Sequence, residues 1–265
     1  MTRLWPVWAV LVRDGRLALS YRLNFVLTLA SAVFGVTLWY FLASAVHPAG
    51  PWAAGGYFAY LITGTAFMGF VGTALHTFGR KLREDQLMGT LEILLSSPAS
   101  AFTVLAASIL WELILQALLV AGTLLLAVAF GMRFMVGSWL AALLITGLTV
   151  AVFAALGLCA ASLLLVFQRG EPVTPFVGGL FALLGGVFFP TSVLPGALRT
   201  LSEFVPLTYS LSGIRSVLLE GGTLRSVGPE LAALSLFNAL LWPLALILLR
   251  LCLRWARRFG LLGNY

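Results

Sequence analysis

Charge is scarce in this chain: Asp, Glu, Lys and Arg make up 9% of its 265 residues, while 61% are hydrophobic. A soluble globular domain keeps its apolar share near half, so that class is excluded and the sequence describes an integral membrane protein. Period-two alternation is missing as well. The apolar residues come in uninterrupted runs, which selects helices over a closed barrel. The two cysteines, Cys159 and Cys252, lie far apart in or at the edge of apolar runs, a pattern that gives neither a disulfide framework nor a metal site. His47 and His76 have no neighbour at metal-ligand spacing. No Gly-x-x-x-x-Gly-Lys-Ser/Thr stretch occurs, which excludes ATP binding through a P-loop. Too little sequence remains between the runs for a soluble domain, so residues 1–265 read as one polytopic membrane domain.

Residues 1–23 hold four arginines around an apolar patch too short to span, and Trp5 and Trp8 suit the headgroup level; this predicts an interfacial segment. Six spans follow, at about 24–45, 57–78, 102–130, 138–167, 173–189 and 231–253. Ala43-Ser44-Ala45 mimics a signal-peptidase site, but the run before it is longer than a signal peptide's apolar region, so a retained helix is expected. The fifth run is the shortest, and Gly178, Ala182 and Gly186 give it a smooth face for close helix contact. Residues 191–222 contain two shorter apolar pieces. A seventh crossing there would move the basic tail Arg250, Arg254, Arg257 and Arg258 outside, against the positive-inside rule. The segment therefore reads as a re-entrant pair of short helices on the outer face. With both ends inside, every Lys and Arg except Arg133, Arg199, Arg215 and Arg225 is cytoplasmic, so the net charge of +7 is a topology signal rather than a nucleic-acid footprint. The basic tail suits anionic inner-leaflet lipid. No targeting or lipidation signal is recognised in residues 259–265.

The dense mixed-charge segment is residues 80–98, Arg-Lys-Leu-Arg-Glu-Asp-Gln-Leu-Met-Gly-Thr-Leu-Glu-Ile-Leu-Leu-Ser-Ser-Pro. Thr90 can cap a short helix whose first turn carries Glu92, and Pro98 ends it. Leu87, Leu91 and Leu95 form one apolar ridge at i, i+4 spacing, flanked by charge, which fits a groove on a partner. Gly89, Thr90, Leu91, Glu92, Leu94, Leu95 and Pro98 resemble the first cytoplasmic loop of ABC-2 type exporter permeases. A second stretch, Gly186-Val187-Phe188-Phe189-Pro190 followed by Leu194-Pro195, Pro206-Leu207-Thr208-Tyr209 and Arg215, resembles the end of that family's membrane domain. The resemblance implies an all-α membrane fold of six transmembrane helices, with an interfacial helix, a coupling helix and an outer re-entrant hairpin. It implies that Arg83, Glu84, Asp85, Gly89, Thr90, Leu91, Glu92, Leu95 and Pro98 contact a separate ATPase subunit. ATP and Mg would bind to that subunit, leaving this chain without a cofactor or a catalytic site. It also implies pairing with a second permease copy, identical or paralogous.

Glu112 lies well inside the third run, where a carboxylate costs about 3 kcal/mol unless partnered, and Gln116 stands one turn on, able to share its hydrogen bonds. This pair is expected to serve assembly more than cargo contact. On the outer face Arg199 and Glu203 are placed to pair with each other, and Glu220, Arg225 and Glu230 to be solvated. Pro190, Pro206, Tyr209 and Arg215 mark the hairpin; Tyr209 and Arg215 are placed where they could line an exit, although an amphipathic hairpin would carry the same residues without transporting anything through it. The expected function is outward transport of an amphipathic drug-like or lipid-linked compound across the cell membrane. A lipid-linked polysaccharide exporter is the nearest alternative. A secondary carrier, or a scaffold without ATPase, would call for inverted repeats or for no energy-coupling partner.

Overall fold

The computed structural model describes residues 22–45, 56–87, 101–167 and 173–258. The described elements are α1 (Arg22–Ala45), α2 (Gly56–Leu87), α3 (Ala101–Ala129), α4 (Trp139–Phe167), α5 (Val173–Leu184), a 3-10 turn (Thr191–Val193), α6 (Gly196–Ser202), α7 (Pro206–Leu219) and α8 (Gly228–Arg258). Segments of α1, α2, α3, α4 and α8 are long and apolar enough to cross a bilayer, five in all among the described residues. Such runs must become helices because lipid offers no partner for backbone N–H and C=O groups. The expected interfacial segment lies outside the described residues apart from Arg22 and Leu23, which begin α1.

Four of the expected spans are matched to within a few residues by α1, α3, α4 and α8. The second begins as expected but does not stop at the membrane edge: α2 continues as one helix of 32 residues to Leu87, about 48 Å at 1.5 Å per residue. In the expected fifth span, residues 173–189, the helix is shorter than the apolar run. It stops at Leu184 after 12 residues, about 18 Å, well short of a bilayer's apolar thickness. The cause is the pair Gly185-Gly186. Gly186 takes φ +73°, and Val187 N–H reaches back to the Ala182 carbonyl at 3.3 Å, closing the helix with a Schellman-type turn.

The expected outer hairpin is helical in two pieces. Pro195 precedes α6, and Pro206 occupies the first turn of α7, where its missing N–H is no loss. Along α7, Leu207, Leu211, Ile214 and Leu218 repeat at helical spacing and are all buried. This stripe packs between α4, α8 and α2, so α7 belongs to the interior of the bundle. The core is centred on α2, where Leu61, Ile62, Phe67 and Phe70 are fully buried, and on Ile145, Phe153 and Leu158 of α4. By contrast α1 touches the bundle at few places, among them Trp39 against Phe188 at 5.9 Å and Tyr40 against Phe58 at 5.5 Å.

Candidate functional site

The charged run that ends α2 holds Arg83, Glu84 and Asp85 in its last turns. Gly89, Thr90, Leu91, Glu92, Leu95 and Pro98, which carry the rest of the expected coupling segment, lie outside the described residues. At its other end α2 is held by a buried cation.

That holding point is Arg215. Its position on α7 falls one turn after Leu211 and three residues before Leu218, on the buried stripe, and the side chain is 7% exposed. A guanidinium has five N–H donors and stays charged in proteins, so burying it demands acceptors on every side. They are present. Nε donates to Thr63 Oγ1 at 3.1 Å, Nη1 to the Gly186 carbonyl at 2.9 Å, and Nη2 to the carbonyls of Tyr60 at 2.9 Å and Val187 at 3.3 Å. The guanidinium carbon sits 3.4 Å from the Tyr60 ring centroid, in cation–π contact. The Tyr60 hydroxyl donates to the same Gly186 carbonyl at 2.8 Å.

Each acceptor has a local cause. The glycine turn that ends α5 leaves the carbonyls of Gly186 and Val187 outside any helix ladder, beside the negative end of the α5 dipole. Gly64 provides the room: a Cβ there would collide with the Val187 carbonyl and lie 2.8 Å from Arg215 Nη2. One cation thus ties together α7, the turn after α5 and the N-terminal part of α2, with neutral oxygens and a ring as the partners given above. Arg215, expected near an exit, is here buried among these partners. Its register with Leu211 and Leu218 was the available signal that it points inward.

The remaining expected residues are dispersed. Tyr209 is half-buried with its ring 5.8 Å from Phe237 of α8. Pro190 precedes the 3-10 turn, and Arg199 and Glu203 are exposed at α6 with no ion pair between them among the described residues. Glu112 is half-buried on α3. Gln116 accepts a hydrogen bond from Thr73 on α2 at 3.2 Å, and borders a groove of about 210 Å³ between α1, α2 and α3 that Thr28, Ser31, Thr65 and Thr123 also line. Glu230, expected to be solvated, is half-buried and accepts from Ser212 at 2.9 Å. A polar seam missed in the sequence runs nearby. Thr149 donates to Ser210 at 2.8 Å, and Asn238 donates to the Leu148 carbonyl at 3.2 Å, stitching α4 to α7 and α8.

A helical bundle with five bilayer-length apolar helices and a cation buried at a helix break is a multi-pass membrane protein. The family model of the ABC-2 type transporter matches residues 8–219, which end with the last residue of α7. The chain belongs to that family. It is a transporter's permease component; members generally work with a separate ABC ATPase, often as dimers. A search of curated proteins finds no match.

Proposed function

We propose that this chain is the membrane subunit of an ATP-driven exporter, moving an amphipathic drug-like or lipid-linked compound outward across the cell membrane. Family membership supports the transporter class. The feature that favours coupling to a partner is α2, an unbroken helix that carries the mixed-charge run from the centre of the bundle toward residues 88–98. In this reading the whole chain is one permease domain with six crossings and both ends cytoplasmic. The sixth crossing is made by the α5 region, where the short helix and its following turn are braced by protein, as non-helical backbone at membrane depth must be. Two copies form the path, and two ATPases, which hold ATP and Mg, press on the segments at 80–98.

Hydrolysis can drive a conformational change only if the partner binds two states of the permease differently. The ridge of Leu87, Leu91 and Leu95 would fill the partner's groove, with Arg83, Glu84, Asp85 and Glu92 setting register at the rim. Glu112 and Gln116 would support assembly. The test uses the tagged chain purified from its native membrane in mild detergent. An ATPase copurifies with the parent chain, and is largely lost from a combined Leu91→Ala and Glu92→Arg variant that still inserts and runs as one species. Absence of any nucleotide-hydrolysing partner from the parent preparation overturns the reading, and so does full partner recovery with the variant.

A further inference from the structure

We propose that Arg215 is a positioning residue for the transport cycle, the joint through which movement of the coupling end of α2 is delivered to the outer turn at residues 185–193. The inference rests on the coupling reading above and adds the mechanical link which that reading lacks. Three observations carry it. First, α2 is continuous from Gly56 to Leu87 and contains no proline, so displacement at one end reaches the other. Second, the contacts of Arg215 to α2 are concentrated within one turn at its outer end, on Tyr60 and Thr63, with Gly64 shaped to admit the guanidinium. Third, the remaining donors grip the carbonyls of Gly186 and Val187, in the turn where α5 breaks.

The arrangement differs from a simple packing contact. An apolar contact between α2 and the turn would let the two slide, since lipid-like surfaces carry no directional preference. A planar fork bonded to one element through Nε and Nη2 and to another through Nη1 and Nη2 fixes both distance and angle. The Tyr60 hydroxyl on Gly186 adds a further polar tie between the turn and α2. Tyr60 and Arg215 therefore act together: the ring seats the cation, and both side chains hold the same carbonyl. When α2 shifts or rotates, the Gly186-Val187 turn and the 3-10 turn after it must follow.

Arg215→Lys tests this, because an ammonium keeps the charge but cannot span the four oxygens or stack as a guanidinium does. The intact permease–ATPase complex is placed in lipid nanodiscs after Cys159→Ala and Cys252→Ala, with a single reporter either at the exposed outer position, Ser192→Cys, or near the coupling end, Gln86→Cys. Maleimide labelling rates are compared without nucleotide and with Mg·ATP trapped by vanadate. In the parent, both reporters change on trapping, the outer one by about fivefold or more, the scale of an ordinary coupling between sites. In Arg215→Lys the inner reporter still responds, while the outer ratio falls to within about twofold of unity.

Tyr60→Phe, which keeps the ring and deletes one bond, falls between the two and carries the test alone if the lysine variant fails to assemble. A merely structural role for Arg215 would lower the melting temperature and leave the outer ratio intact, which overturns the inference. An outer reporter that ignores nucleotide in the parent while the inner one responds overturns it too. If neither reporter responds in the parent, the coupling reading itself falls, and this inference with it.

Discussion

Helices α1 and α2 are built from similar material and used in opposite ways. Each contributes a 20-residue apolar segment, and that of α1 is the more hydrophobic, yet 6% of it is buried within the chain against 61% of the α2 segment. In water the order would be reversed. In lipid, tails are as apolar as leucine, so hydrophobicity gives a helix no reason to leave them; small residues that admit close approach and polar groups that bond across helices do. The buried surface of α2 accordingly mixes Ala59, Thr63, Ala66 and Ala74 with Phe67 and Phe70, and Gly64 opens the door to Arg215. Helix α1 points Val26, Leu27, Phe34 and Phe41 outward.

The largest expected effect comes from cutting into the α2 side of this contrast. Phe67 is 1% exposed and stacks edge-on with Phe70 at 5.5 Å. Phe67→Ala leaves a cavity that the bundle cannot close and should destabilise by about 3 kcal/mol, the low end for such a truncation because transfer from water contributes little in lipid. Reversible denaturation in mixed micelles measures it. A loss under half that size would mean that α2 is not held by packing as tightly as its burial indicates.

Gly64→Ala is the next in size. One methyl group must displace either the Val187 carbonyl or the Arg215 fork, an overpacking penalty of about 2 kcal/mol. It sharpens the contrast because Gly35, a glycine on α1, has nothing within 4 Å of its missing Cβ. Gly35→Ala in the same assay should be neutral or slightly stabilising, by the helix propensity alone, up to about 1 kcal/mol. Equal losses at both glycines would dissolve the distinction.

These two helices also mark how far the sequence could be read. Spans α1, α3, α4 and α8 were legible because long apolar runs have one solution in lipid. The end of α5 was hidden inside its run: residues 173–189 are apolar almost throughout, and hydropathy cannot tell a helix from a turn whose carbonyls are taken by a distant arginine. Nothing near Gly186 in the chain announces the partner 29 residues away that bonds its carbonyl. The burial of Arg215 was hidden for the opposite reason. Charge alone places an arginine in solvent or at a lumen, whereas its register with Leu211 and Leu218 places it on the buried stripe. Gln116 shows the same limit: its same-helix neighbour Glu112 was visible in the spacing, whereas its bond to Thr73 crosses between helices. The proposed partner-facing ridge of Leu87, Leu91 and Leu95 rests on pattern and resemblance, since Leu91 and Leu95 lie outside the described residues.

The smallest expected effect is the one that can most directly break the comparison. Phe34 of α1 is 69% exposed, and if lipid is what covers it, Phe34→Ala removes contacts that the inserted but unpacked helix makes equally well. Those contacts cancel between the two states, so stability should change by less than about 0.5 kcal/mol, the range of ordinary surface substitutions. A loss of about 2 kcal/mol or more would instead show that protein covers this face. Dilution then identifies the cover. A loss that grows as the complex is diluted in micelles belongs to a second subunit, because association shifts apparent stability with concentration. A loss independent of concentration belongs to the same chain, and α1 would then have to pack more closely than its contacts through Trp39 and Tyr40 allow. Only the near-zero result keeps α1 as the lipid-facing counterpart of α2.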